Sequence, residues 1–596
     1  MCGISAIISF DRKPKLSDLK AMLEQLKHRG PDGSGLWNDK QVALGMTRLS
    51  IIDIKGGKQP LYNEDKNIVI VGNGEIYNYR ILDKELRKKG HKPRTKSDIE
   101  TIIHIYEEYG EKGVNKLIGM FAFVLYDIKK QIIIVGRDRF GEKPIYYSIN
   151  NEQIYISSEM KSLIRVIPQD EVDMDAINLY FHYYYVPEPL TMFKNISKVQ
   201  AGQYFKIDLK SKKIEKKIYW NPSVLKIKKY TNLLTKLQEK INNAVESTLV
   251  SDVDIGFSLS GGIDSTAILA IAADKIQKKI KAFTIGYEGT PVTDERRLAS
   301  IVTKQYKVTH IQKELKNLEV VQHFPELVYD GDDPIADIAG HGIYSVSRLA
   351  HENNIKVLIC GLGGDELFWG YPWVRDITKL NENNNDFTFY NTNTSYNNAI
   401  SFISKLQTDY FKSSINRLLP KQIFYNKPKG MISNARLSQE LIRKVWLVSN
   451  CLSYCDRLSM ASSVELRSPL LNHLLAELAY TDEEIIMSYR KDGKHWLKKA
   501  VAQLLPKEIL TNKKQGFTPP IRKWLFGIIS EYIPLLQKGF LVKNNIISKW
   551  KIYTISKLWL IIPFYWYSIY QLLVLEIWCR EYVIGETATH IKHKYI

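Results

Sequence analysis

Cysteine is scarce in this chain: five residues in 596, at positions 2, 360, 451, 455 and 579. So sparse and odd a set excludes a disulfide framework and points to a reducing, cytoplasmic setting. Cys451 and Cys455 lie one helical turn apart, but no second ligand pair accompanies them, so no zinc site is expected there. The sequence also lacks a Walker A pattern and any internal repeat. Its opening, MCGISAIISFDRK, has no basic stretch ahead of the apolar run and does not read as a secretory leader. Acidic residues are outnumbered by basic ones, 64 against 84, giving a net charge of +20. That excess admits nucleic acid, anionic membrane or polyphosphate as partners without choosing among them. One segment, 558–575, is apolar over a spanning length. Its Pro563, Ser568, Gln571 and interior Tyr and Trp residues predict a buried helix pair and no membrane insertion.

What is present is an ordinary globular balance, 44% hydrophobic and 25% charged. Residues 1–207 alternate short β-type runs (68–71, 121–126, 132–135, 154–156) with turn signals and helical stretches at 15–26 and 98–109. They predict an α+β domain rich in antiparallel sheet. Residues 208–230 are Lys-dense and read as a linker. From 231 to 596 strands alternate with helices before a mainly helical end, which predicts a doubly wound parallel sheet. An Asn-rich stretch, 381–398, reads as a loop or insertion.

Two constellations carry chemistry. The first begins at Cys2. Removing Met1 would leave a thiol beside an α-amine whose reference pKa is near 8, a built-in base. An α-amino acid substrate needs a cation for its carboxylate, which Arg48 can supply as a fork. It also needs an anion for its ammonium, from Glu75 or Asp98. Asn73 and the Gly74 amide can stabilise an oxyanion. Taken singly, each of these residues is better read as part of a turn or a surface ion pair.

The second constellation is SLSGGIDS at 258–265, between a hydrophobic strand and a helix. Consecutive glycines let backbone N–H groups approach phosphate, and a helix N-terminus favours anions. Ser260, Ser265 and Thr266 add hydroxyls, and Asp264 can hold Mg2+. CGLGGDELFWGY at 360–371 again follows a strand.

MCGISAI, HRGPDG, RLSIID, NGEIYNY and SDIE, in that order, resemble the class II glutamine amidotransferase domain of asparagine synthetases. GMFAFVLYD, GRDRFGEKPIYY and SSEMKSL continue the resemblance. It implies an N-terminal-nucleophile fold of stacked antiparallel sheets with flanking helices. It also implies Cys2 as nucleophile, Arg48 on the glutamine carboxylate, Asn73 and Gly74 as oxyanion hole, and Glu75 and Asp98 at the amino end. SGGIDS resembles the loop of ATP pyrophosphatases, and CGLGGDE, CDRLSMASSVELRSPLLNH, GKHWLKKAV and KKQGFTPP resemble the synthetase half of the same family. By that resemblance ATP is bound at Ser258, Leu259, Ser260, Gly261, Gly262, Asp264, Ser265, Ile285, Gly361 and Gly363. Mg2+ is bound by Asp264 and Asp365, and Lys494 stabilises charge in the reacting intermediate. Arg457 and Arg467 fit either ligand positioning or packing ion pairs.

Two departures stand out. Cys360 replaces the usual Ser, and Leu362 stands where the family has a carboxylate. The expected activity is glutamine-dependent amidation of an adenylated carboxylate, aspartate first and a sugar acid or peptide side chain second. A homodimer is compatible with the resemblance. An RNA-modifying pyrophosphatase would explain the basic charge, but no RNA module is legible and no nucleic acid partner is expected. A non-catalytic storage protein is disfavoured by the persistence of Cys2, Arg48, Asp98, Asp264 and Asp365.

Overall fold

The computed structural model describes residues 1–150, 152–168, 171–276, 279–289, 294–382, 394–416, 433–511 and 519–595. Residues 383–393 of the Asn-rich stretch, and 513–518 of the KKQGFTPP motif, lie outside them. Residues 394–398 open the helix Thr394–Leu406.

The N-terminal part is a sandwich of two six-stranded antiparallel sheets. In the first, Gly3–Ser9 pairs with Val42–Arg48 on one side and Gln153–Ser157 on the other. In the second, Gly119–Asp127 pairs with Ile68–Ile76 and Ile132–Arg137. Successive side chains on a strand point to opposite faces. Ile4, Ala6 and Ile8 accordingly meet Val71, Val124 and Val135 between the sheets, while Ile7 faces outward onto Leu19, Met22 and Leu23. Helix Leu16–Glu24 covers that outer face, and helix Asp98–Tyr109 packs on the outside of the second sheet. Because both faces are covered, Gly3–Ser9 is buried throughout, and Ser5 and Ser9 on its outer face are buried with the rest.

The Lys-dense stretch read as a linker holds more than a linker. Lys213–Ile218 pairs with Gln203–Asp208 and forms the edge of the second sheet. Its lysines are exposed, as suits an edge strand guarded against further pairing. That use of lysine gives a strand the composition of a connector.

The second part carries a five-stranded parallel sheet. Its order across the sheet is Thr309–Leu315, Lys281–Tyr287, Ile255–Ser258, Val357–Ile359, Glu465–Arg467. The chain builds outward from Ile255–Ser258 in one direction, then returns to its other side at Val357–Ile359. The order therefore reverses between these two strands. In open α/β sheets that reversal opens a crevice at the carboxyl ends, where ligands bind.

Of the apolar 558–575 segment, helix Trp566–Cys579 is buried from Ser568 onward. It is sharply bent away from helix Lys549–Leu558 and its following turn, the angle being 114°. The turn is not buried as expected: Ile561 is 74% and Phe564 62% exposed. Among the described residues no single helix is long and apolar enough to cross a membrane.

Candidate active sites

Cys2 immediately precedes the central strand Gly3–Ser9 of the first sheet and is buried. Its backbone N–H donates to Asn73 Oδ1 at 2.9 Å, and its carbonyl accepts from Arg29 Nε at 3.2 Å. Burial pushes the thiol pKa up, opposed by the nearby chain terminus, the Leu49 N–H and Arg48. With Oδ1 engaged, Asn73 Nδ2 is buried with no hydrogen-bond partner among the described residues. An orphaned N–H donor beside the thiol is the group an oxyanion hole requires. Gly74 follows with φ +134, and a Cβ there would lie 2.0 Å from the Met120 carbonyl. Only glycine lets the second sheet bring this amide to the site.

Arg48 ends the strand beside Cys2 and points its fork at the carbonyls of Ile52, Asp53 and Ile54, at 2.8–3.2 Å. Asp98, at the start of helix Asp98–Tyr109, accepts the Ile76 N–H at 2.8 Å. Burial lifts its pKa to about 7. Glu75 is buried too, its pKa raised by desolvation and by Glu465, and Arg467 Nη2 stands 3.3 Å from it. Cys2, Arg48, Asn73, Gly74, Glu75 and Asp98 thus gather at one end of the sandwich. Arg48 and Glu75 are engaged within the protein there.

Met1, Arg29, Glu159, Asp456 and Glu465, to which sequence reasoning gave no role, join this site to the second domain. The Met1 ammonium lies 3.5 Å from Glu465, and Glu465 pairs with Arg467 at 2.7 Å. Arg29 binds Glu159 at 2.6 Å and Asp456 at 2.8 Å. The HRGPD and SSEMKSL motifs contained Arg29 and Glu159, but not the fact that they face each other. Arg457 is a packing cation: it pairs with Asp332 and Asp333 and donates to the Tyr146 hydroxyl.

The second site forms where the parallel sheet reverses. Ser258 ends the strand Ile255–Ser258, and Leu259 N–H donates to Phe283 O at 2.9 Å. Ile285, further along that neighbouring strand, is a buried core residue. Gly261 has φ +67, and a Cβ on it would strike Leu298 at 2.7 Å. Gly262 N–H donates to Ser260 Oγ at 3.3 Å, and Ser260 and Ser265 hydroxyls are 3.0 Å apart. Helix Ile263–Ala273 then begins with Asp264 in its first turn.

The loop after Val357–Ile359 packs directly on that turn. A Cβ on Gly361 would sit 3.0 Å from Asp264 Cβ, and one on Gly364 would sit 2.5 Å from Asp264 Oδ1. Gly363 turns the loop with φ +103. Asp365, on the short helix Gly364–Leu367, is thereby brought opposite Asp264. Lys494 stands between the two: its Nζ is 2.5 Å from Asp264 Oδ2 and 3.0 Å from Asp365 Oδ1. Burial alone would lower the Lys494 pKa, but the two carboxylates outweigh it and raise it. The residue adopts φ +61, uncommon for a side chain of this size. Two carboxylates already holding a buried cation, in a cradle kept open by glycine, fit a hard divalent ion such as Mg2+.

Cys360 is buried with a pKa pushed up to about 11, its Sγ 3.5 Å from Ser468 Oγ. Leu362 is partly buried and packs against two separate apolar clusters. Next to Asp365, Glu366 is buried with a raised pKa from desolvation, and it accepts the Tyr371 hydroxyl at 2.6 Å.

Comparison with known proteins agrees with both halves. Residues 1–220 match the family described as glutamine amidotransferase domain, and residues 236–574 the family described as asparagine synthase. Over 579 residues the chain is 30% identical to the glutamine-hydrolyzing asparagine synthetase 1 of Bacillus subtilis, spanning 89% of each protein. It is 33% identical over 412 residues to a putative glutamine-hydrolyzing asparagine synthetase of Methanocaldococcus jannaschii, 65% of this chain and 78% of that one. It is 26% identical over 638 residues to the amidase chry2 of Gibberella zeae, 92% of this chain and 94% of that one. Domain order, span and identity together place the chain in the asparagine synthase family, as a glutamine-hydrolysing carbon–nitrogen ligase that uses ATP and a carboxylate substrate.

Proposed function

We propose that the enzyme makes asparagine: ammonia released from glutamine at Cys2 amidates aspartate that ATP has activated as an acyl-adenylate. With Met1 removed, the α-amine of Cys2 takes the thiol proton, and the thiolate attacks the glutamine amide carbon. Asn73 Nδ2 and the Gly74 N–H hold the resulting oxyanion. The amine returns the proton to the departing ammonia, and water later hydrolyses the thioester. Arg48 takes the substrate carboxylate, and Asp98 and Glu75 its ammonium.

At the second site the loop 258–265 cradles the phosphates. Asp264 and Asp365 would hold Mg2+, which supplies neutralising charge as pyrophosphate leaves. Lys494 stabilises the negative charge that develops as ammonia attacks and AMP departs. Ammonia must travel inside the protein, since in bulk water near neutrality it is mostly non-nucleophilic ammonium. All five cysteines are free, which suits a cytoplasmic enzyme.

The observation that carries the reading is the Lys494 ammonium between Asp264 and Asp365 at the sheet's reversal point, in one chain with the Cys2 site. Leu362 favours a second reading with the same chemistry on another carboxylate, because an apolar side chain cannot accept a proton there. The experiment is a full reaction with ATP, glutamine and aspartate, measuring asparagine, AMP and pyrophosphate. Asparagine in step with AMP is expected. Intact glutamine hydrolysis without asparagine would overturn aspartate as acceptor, and a panel of carboxylic acids that release pyrophosphate would name its replacement.

A further inference from the structure

Far from Cys2 along helix Asp98–Tyr109, three chain segments bring two imidazoles and four carboxylates together. His104 and Glu107 lie one turn apart on the helix, His91 follows helix Tyr79–Lys88, and Glu64 sits in the turn after Leu61–Tyr62. One potential donor atom each from His91, His104 and Glu107 fall within 4.8 Å of one another. Around the shared centre, Glu107 Oε2 is 2.8 Å from His104 Nδ1 and 3.3 Å from His91 Nδ1. Glu64 Oε2 approaches His104 Nδ1 at 4.0 Å. Donors 2.0–2.2 Å from a tetrahedral zinc ion sit roughly 3.3 Å apart. The observed separations bracket that spacing, so small side-chain shifts would complete it.

The outer contacts make the arrangement more specific than a chance charge cluster. His91 Nε2 is hydrogen-bonded to Glu108 at 3.3 Å, while His104 Nε2 faces Glu100 at 3.7 Å without a hydrogen bond among the described residues. A carboxylate behind a ligating histidine fixes its tautomer and raises its basicity. Asn63 Nδ2 donates to Glu107 Oε1 at 2.8 Å, leaving Oε2 for the centre, and the Lys92 N–H fixes Glu64 Oε1 at 2.8 Å. The Glu100 carboxylate is itself held by the N–H groups of Arg94 and Thr95, at 2.7 Å each. His104 is fully buried and His91 15% exposed, while the Glu107 and Glu64 side chains are 21% and 34% exposed, so the centre is screened on the helix side and reachable from solvent on the other. Two nitrogen and two oxygen donors suit a borderline ion such as zinc rather than the hard Mg2+ or Ca2+.

We propose that His91, His104, Glu107 and Glu64 bind one zinc ion, pinning the 89–97 loop and the 63–67 turn to the helix that presents Asp98. The test uses the full chain, stripped with a chelator and titrated with Zn2+ alone, with metal content read by mass spectrometry. One zinc per chain is expected. His91→Ala, at a loop position, should abolish it, and Glu108→Gln should weaken affinity by about 10–100-fold. Cys2→Ala should leave it unchanged, which separates this site from the terminal thiol and amine. Titration with Co2+ should give the intense visible bands of a four-coordinate site without a thiolate charge-transfer band. No zinc uptake by the wild type, or equal uptake by His91→Ala, would overturn the proposal and leave the cluster a proton-sharing ion-pair network.

Discussion

The guanidinium of Arg467 stands 3.3 Å from Glu75 in the amidotransferase domain, while its backbone carbonyl accepts the Cys360 N–H at 3.0 Å. One residue therefore touches both candidate sites. Glu75 adjoins the Asn73–Gly74 pair, and Cys360 begins the loop that delivers Asp365. Glu465, two residues earlier on the same edge strand, faces the Met1 ammonium. The strand thus contacts both sites, and occupancy of one is expected to be felt at the other.

Replacing Arg467 by lysine tests that link. A lysine keeps the charge but cannot fork between Glu465 and Glu75. The expected stability loss is about 1–3 kcal/mol, from imperfectly paired buried carboxylates. The more telling expectation is leakage, with more than one glutamate formed per amide product, measured by amino-acid analysis. An unchanged ratio would show that the strand does not couple the sites.

Cys2→Ala should remove glutamine hydrolysis by at least about three orders of magnitude, as loss of a nucleophile does. Synthesis with ammonium salts should continue, because Lys494, Asp264 and Asp365 sit on helix starts beside the parallel sheet, away from the sandwich that carries Cys2. Glutamate release and pyrophosphate release, assayed in parallel, check both halves. Glutamine-supported turnover in the variant would mean another nucleophile.

Asp98 gives a pH prediction. Its pKa rises from 3.8 unfolded to about 7 folded, chiefly through burial. The folded state thus holds a proton that the unfolded state has released between these values, and stability falls as pH climbs from 4 to 7. Ionisation of this one group costs on the order of 4 kcal/mol once complete. Asp98→Asn can still accept the Ile76 N–H and carries no charge. It should be more stable than wild type at pH 8, with the difference shrinking toward pH 5 in urea unfolding. The same change should raise the KM for glutamine, whose ammonium loses its anion. A stability gap that widens on acidification would contradict the assignment.

The sequence made some of this structure plain. The 98–109 helix forms over those residues, because its apolar spacing and acidic first turn need no distant help. The two glycine-rich loops were also legible, since each follows a strand that its composition marks. Partners separated by hundreds of residues were not legible. Arg29 with Asp456, Met1 with Glu465 and Arg467 with Glu75 are buried ion pairs across domains. In a linear sequence such charges look like surface. The strand Lys213–Ile218 hid for the opposite reason, because an edge strand with exposed lysines has the composition of a connector.

Gly364 is the most direct probe of the second site. It is a position where a single methyl group, and no change of charge, reaches the Asp264 carboxylate. A Cβ there would lie 2.4 Å from Asp264 Cγ and 2.5–2.6 Å from its two oxygens. In Gly364→Ala the carboxylate must swing away, stretching its 2.5 Å contact with Lys494. Overpacking of this kind costs about 1–3 kcal/mol, so the protein should still fold. Catalysis is less tolerant, because a displacement of about 1 Å can cost on the order of 100-fold in rate. The expected result is pyrophosphate release reduced by that factor, with glutamine hydrolysis at Cys2 kept. The two rates measured on one preparation separate local damage from misfolding, which would lower both. If pyrophosphate release is unaffected, Asp264 does not act from the position where Gly364 holds it, and its assignment as a Mg2+ ligand fails.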